Sequence, residues 1–232
     1  MKKRIEKILG LLSVELLIAG GIFLLALFAL SITIHEAFFE HDDIFDTNIA
    51  LYFAHHSSPA LITAMQKITF FGSSMFLLPA YIVLIGWHSR KRQYHYAVDI
   101  AAIGISSTAL MFILKLIFHR HRPELPILKG ITGYSFPSGH SLSSFIFCTI
   151  LLYLLWKRPM HAGYKYLLTI VLLLYPLAIG LSRIVLNVHY ATDVIGGFCL
   201  ATVWVVLFFF VLRKLRKKKI PHTGGAVLSS DQ

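Results

Sequence analysis

The sequence predicts an all-α fold: a six-helix transmembrane bundle with a short amphipathic interfacial helix after the first span. Three observations lead there. Hydrophobic residues make up 56% of the 232 positions and charged residues only 14%, too apolar a balance for an ordinary soluble domain and too short a chain for several. Six apolar runs approach the roughly 20 helical residues that cross a bilayer core. The basic residues gather at the ends of those runs rather than on one soluble face.

The runs fall near 11–34, 68–86, 97–118, 141–156, 167–182 and 194–212, the fourth and fifth being the shortest. The first follows Lys2, Lys3 and Arg4, as a signal peptide would, but it is too long for a signal core and lacks a convincing cleavage site, so it reads as a retained helix. Residues 43–56 place Phe45, Ile49, Tyr52 and Phe53 at helical spacing, with Asp43 able to cap the start and Asp46 favourably placed in the first turn. This segment is either a helix lying on the outer membrane surface or a loop helix packed on the bundle. Neither a fixed-period repeat nor a low-complexity linker divides the chain, so residues 1–219 read as one membrane domain and 220–232 as a flexible C-terminal tail. Cys148 and Cys199 fall inside the fourth and sixth runs and read as small packing residues.

A net charge of +11 raises nucleic acid as a partner, but no basic face with interleaved aromatics supports it. Instead, 16 of the 22 Lys and Arg fall in inside segments if the N-terminus is cytoplasmic. The positive-inside rule then puts both termini in the cytoplasm. The connection after the first run, with Glu36, Glu40, Asp42, Asp43 and Asp46, becomes an outer loop. Of the six basic residues left outside, Lys115, Arg122 and Arg183 belong to three polar clusters, and the others are Lys67, Arg120 and Lys129.

Those clusters carry the chemistry. They are Lys115 with Arg122-Pro123; Pro137-Ser138-Gly139-His140; and Ser182-Arg183 followed by His189 and Asp193. The first ends the third span, the second begins the fourth, and the third joins the fifth to the sixth, so all meet on the outer face. A phosphate monoester needs fixed donors, which Lys115, Arg122 and Arg183 provide as one point charge and two planar forks. Pro137-Ser138-Gly139 leads into a helix start whose free N–H groups favour an anion; Gly139 lets phosphate approach the main chain, and the Ser138 hydroxyl can add a donor. His189 and Asp193, four apart, share a face if the sixth helix begins nearby, and a carboxylate beside an imidazole fixes its tautomer and steadies the cation formed during reaction. That suits His189 as nucleophile and His140 as the acid that protonates the leaving alkoxide. His119 and His121 lack the carboxylate or cysteine spacing that would make them metal ligands.

With these residues in place, the chain resembles the type 2 phosphatidic acid phosphatase family, which shares its catalytic core with glucose-6-phosphatases and vanadium-dependent haloperoxidases. Its signature is Lys, six residues, Arg-Pro; then Pro-Ser-Gly-His; then Ser-Arg, five residues, His, three residues, Asp. Every position is matched, from Lys115 to Asp193. The resemblance implies a phosphohistidine on His189 oriented by Asp193, with His140 protonating the leaving group and later assisting water. It implies phosphoryl binding by Lys115, Arg122, Ser138, Gly139 and Arg183, and no metal or other cofactor. The expected substrate is a lipid phosphate or diphosphate: phosphatidylglycerophosphate, phosphatidate, undecaprenyl diphosphate or a lipid A phosphate. Charge placement and length suit a bacterial inner membrane with the site on the periplasmic or extracellular side, and no obligate protein partner is implied. An anion or lipid transporter could use the same cations, but it would spread them over several depths and would not need His beside Asp. A haloperoxidase holding vanadate fits a lipid-facing protein poorly.

Overall fold

The computed structural model describes residues 14–39 and 44–218, and among them every regular element is an α-helix. There are eight: α1 (Val14–Phe38), α2 (Ile44–His56), α3 (Pro59–Phe70), α4 (Ser74–Arg90), α5 (Tyr94–Phe118), α6 (Gly139–Trp156), α7 (Ala162–Val185) and α8 (Ala191–Lys218). Six stretches are long and apolar enough to cross a bilayer: Leu16–Phe38, Pro59–Arg90, Tyr94–Phe118, Gly139–Trp156, Ala162–Val185 and Ala191–Arg216. The six-helix bundle is therefore present. Most helices run a few residues past their apolar runs, because Lys and Arg side chains at a span's end keep their heads in water while the backbone stays helical. The proposed tail at 220–232 and the Asp43 cap lie outside the described residues.

α6 is the hub. Half of its span is buried, whereas the other five expose most of their apolar side chains, as a bilayer solvent allows. Leu142, Ile146 and Ile150 of α6 meet Ile100 and Ile103 of α5, Leu200 and Ala201 of α8, and Phe136 just before α6. α1 lies along α8, and α7 packs on α6. Gly197 permits a close approach to main chain: a Cβ there would stand 2.9 Å from the Ser138 carbonyl oxygen. α8 can press against the start of α6 only because that Cβ is missing.

The second span is two helices. Ser58 caps α3, its hydroxyl accepting from the Leu61 N–H at 3.2 Å, and Pro59 occupies the first turn, where its missing N–H is harmless. The chain then breaks at Phe71-Gly72-Ser73, where the Ser73 hydroxyl donates to the Phe70 carbonyl at 2.6 Å. Hydropathy reads straight across this break, since Phe70, Phe71 and Phe76 are as apolar as a continuous helix would need. Gly72 sits against α7 and the start of α6: a Cβ would fall 2.5 Å from Ile179 Cγ2 and 3.2 Å from His140 Cδ2.

α2 forms where the sequence placed it. It packs on α7 and α8. Asp46 is buried, while Leu51 and Tyr52 are exposed.

Candidate active site

Four helix ends converge: the C-terminal ends of α5 and α7 and the N-terminal ends of α6 and α8. α5 stops at His119, which adopts a left-handed conformation (φ 49°) with its N–H bonded to the Lys115 carbonyl. The segment 119–138 that follows is tied down by main-chain bonds from Ser135 N–H to the Arg120 carbonyl (2.8 Å) and from Ile127 N–H to the Leu186 carbonyl (3.1 Å). These bonds set the positions of the first two clusters. Lys115 Nζ donates to the carbonyls of Tyr134 (2.5 Å) and Ser135 (3.4 Å), and Arg122 donates to those of Gly133 (3.0 Å) and Val188 (2.7 Å). Both cations are thus held by neutral acceptors.

Arg183, in the last turn of α7, is buried and donates Nη1 to the Thr69 hydroxyl at 2.7 Å. Its Nε is also buried and has no hydrogen-bond partner among the described residues. An orphaned donor on a guanidinium that bonds only a neutral hydroxyl is suited to an anion's oxygen. Burial lowers the proton affinity of Arg122, with Asp193 opposing, yet a guanidinium stays charged throughout the working range.

Ser138 caps α6 by accepting from the Ser141 N–H (3.4 Å) and hydroxyl (2.9 Å), and its own N–H donates to the Asp193 carbonyl at 3.0 Å. It is fully buried and does not border the cavity, whereas Gly139 and His140 do. In this geometry the Ser138 oxygen serves as a capping acceptor that shapes the turn.

His189 and Asp193 meet, but not as two residues on one helical face. α8 begins at Ala191, after His189. Asp193 reaches back in the manner of a capping box: Oδ2 takes the Tyr190 N–H at 3.0 Å and lies 3.2 Å from His189 Nδ1. The carboxylate accepts, so Nδ1 carries the proton and Nε2 is left with the lone pair. Nε2 lies 3.2 Å from Arg122 Nη1. Burial first, then the nearby Arg183 and Arg122 charges, push the His189 pKa down to about 4 against the raising influence of Asp193.

Behind this pair is a network that the spacing of the clusters did not reveal. Arg120 Nη1 donates to Asp193 Oδ1 (2.8 Å) and to the Thr192 hydroxyl (2.7 Å), while Nη2 donates to Asp46 Oδ2 (2.9 Å). Asp46 also accepts the Thr192 N–H at 3.0 Å and the Thr192 hydroxyl. Burial works against the Arg120 charge, but Asp193 and Asp46 outweigh it and raise its proton affinity. Removing one member of such a buried set costs about 3–5 kcal/mol, because a charge is left unpaired. The sequence alone marks Arg120 as an outer cation and Asp46 as an outer-loop acid favourably placed in a first helical turn.

Lys115, Arg122, Gly139, His140, Arg183 and His189 all border one cavity of about 1120 Å³. Its remaining wall is mostly apolar, from α4 and α5, and includes Leu78, Ile82, Ile105 and Phe112.

Residues 96–217 match the model of the PAP2 superfamily, a stretch holding all three clusters in the geometry just described. The chain belongs to the PAP2 superfamily. This PAP2 phosphatase is 32% identical over 155 residues to phosphatidylglycerophosphatase B of Bacillus subtilis (strain 168), covering 66% of its own length and 74% of that relative. Among solved structures it resembles the transmembrane PAP2-type phosphatidylglycerolphosphate phosphatase from B. subtilis, with a TM-score of 0.71 and 27% identity over 88% of this chain and 98% of that one. LpxE of Aquifex aeolicus shares the fold alone, with a TM-score of 0.56 and 24% identity over 71% of this chain and 94% of its own. The PAP2 match begins after α2, so Asp46 lies outside it.

Proposed function

We propose that this PAP2 phosphatase hydrolyses a lipid phosphate or diphosphate, with phosphatidylglycerophosphate first among the candidates, through a phosphohistidine on His189 and without a metal. The cavity carries the reading. It joins the cation cluster to a long apolar wall, the shape a phosphorylated headgroup with acyl chains needs. The B. subtilis relatives named for phosphatidylglycerophosphate hydrolysis support the choice of lipid.

In this mechanism the phosphoryl oxygens are held by Lys115, Arg122, Arg183 and the N–H groups at the start of α6, which neutralise charge as Mg²⁺ does in other phosphoryl-transfer sites. Arg122 turns from His189 Nε2 to the phosphate, releasing the lone pair. Nε2 then attacks phosphorus, the P–O bond to the lipid breaks, and His140 gives its proton to the departing alkoxide. Asp193 stays on Nδ1–H and steadies the charge on the ring. In the second step His140 takes a proton from water, whose oxygen attacks phosphorus and returns His189 as phosphate leaves. With both termini cytoplasmic, the site faces the periplasmic or extracellular side.

The test is phosphate release by purified protein in detergent from phosphatidylglycerophosphate, phosphatidate, undecaprenyl diphosphate and lipid A phosphate, with EDTA present. The expected result is turnover with EDTA, highest on phosphatidylglycerophosphate, and none from His189→Ala. Undiminished turnover by His189→Ala overturns the nucleophile, and loss in EDTA overturns metal independence. Labelling of a cysteine introduced near Lys129 by a membrane-impermeant reagent from the outer side checks the orientation.

A further inference from the structure

We infer that Asp46 and Arg120 form a positioning couple for the nucleophile: Arg120 fixes the Asp193 carboxylate, and Asp46 offsets the Arg120 charge so that Asp193 still supports the cation that forms on His189. The inference rests on the assignment of His189 as nucleophile.

The geometry supplies the first half. Asp193 has two oxygens with divided duties. Oδ2 serves His189 Nδ1 and the Tyr190 N–H, while Oδ1 receives Arg120 at 2.8 Å. A carboxylate held on both sides cannot rotate away from the imidazole. Arg120 is itself fixed, because its two terminal nitrogens are split between Asp193 and Asp46 and its guanidinium carbon lies 4.1 Å from the Tyr190 ring centroid. Neither Arg120 nor Asp46 borders the cavity, so neither is placed to touch substrate.

Charge supplies the second half. A lone buried Arg on Asp193 would neutralise it and withdraw its support from His189. Asp46, 2.9 Å from the other end of the guanidinium, leaves the Asp46–Arg120–Asp193 set at a net charge of −1. When phosphorus bonds to Nε2 while Nδ1 keeps its proton, the ring gains a positive charge, and the set is then matched by it. The other charged groups facing His189 are cationic or become so: Arg183 from α7, Lys115 from α5, Arg122 from the loop and His140 from α6. Asp193 with its two supporters is therefore the only negative side chain among the described residues that these contacts place against the ring. Asp46 comes from α2, outside the part of the chain that the PAP2 model matches.

The experiment compares wild type with Asp46→Asn, Asp46→Glu and the double variant Asp46→Asn/Arg120→Gln. Each is assayed for kcat, KM and the acid limb of kcat/KM on one short-chain lipid phosphate, with His189→Ala as control. Removing the Asp46 charge makes the set neutral, so His189 binds a proton less readily and the acid limb moves to lower pH, by roughly half a unit. kcat falls tenfold or more, and KM holds. The double variant restores a net −1 and returns the limb toward its wild-type position while kcat stays low, since Asp193 is no longer held. Asp46→Glu recovers part of kcat, and folded yield is checked by thermal melting in detergent. An unmoved limb in Asp46→Asn, or a rise in KM with kcat unchanged, overturns the couple. Activity in His189→Ala would instead overturn the nucleophile on which it rests, so the two failures are distinguishable.

Discussion

At the scale of single residues, His189 is shaped by opposing neighbours. Burial and the arginines disfavour its protonated form, while the carboxylate of Asp193 favours it, and the balance leaves its pKa near 4. In the proposed mechanism the nucleophile is the unprotonated ring, so activity is expected to be lost as pH falls through that value. The enzyme's own contribution to the acid limb of kcat/KM is expected near pH 4 rather than at the usual histidine value of about 6.5. A pH series on a substrate whose own titration is known separates the two, and a limb near 6.5 would show that the ring is not buried as described. The residues of the three clusters were legible because each cluster is local and their spacing is tied to helix ends. The residues behind them were not. Arg120 and Asp46 are 74 positions apart, Thr192 and Asp46 146, and Arg183 and Thr69 114. No periodicity records a pairing made across such distances, and Thr69 carries no charge to draw attention.

The helices and their ends decide whether those residues meet. Hydropathy found the spans because apolar runs are a direct consequence of the bilayer solvent, but it could not find the break at Phe71-Gly72-Ser73. The break is accompanied by a Ser73 hydroxyl bond back to the Phe70 carbonyl and a close approach of α7 and His140 to Gly72, neither of which alters apolarity. The start of α8 follows the same logic: it lies beyond His189, so the dyad depends on a capping contact rather than on helical spacing. Gly197 offers the sharpest test at this scale. An alanine there drives a Cβ to 2.9 Å from the Ser138 carbonyl oxygen, a backbone atom that cannot rotate aside. Gly197→Ala is expected to destabilise by about 1–3 kcal/mol and to lower kcat/KM, since the same turn presents Gly139 and His140 to the cavity. Thermal melting and phosphate release measure the two effects, and an unchanged melting point would argue against so tight a packing of α8 on α6.

For the whole molecule, the relevant division is between the chemical end of the cavity and its greasy flank. Thr108 of α5 lines the flank and is exposed, about two helical turns before Lys115. Thr108→Trp is expected to narrow that flank, raising KM several-fold for a long-chain lipid phosphate while leaving a short-chain analogue almost untouched. Equal effects on both would mean that the acyl chains do not use this route. The arrangement also bears on when the enzyme becomes active. Asp46 is contributed early in the chain and Asp193 near the start of its last helix, and the two are joined through Arg120 between them. Five of the six candidate spans among the described residues precede Asp193 in the chain, so they are synthesised before it. On the proposed mechanism, a nascent chain carries the cation cluster before His189 has its orienting carboxylate, and hydrolysis is expected only once α8 is in place.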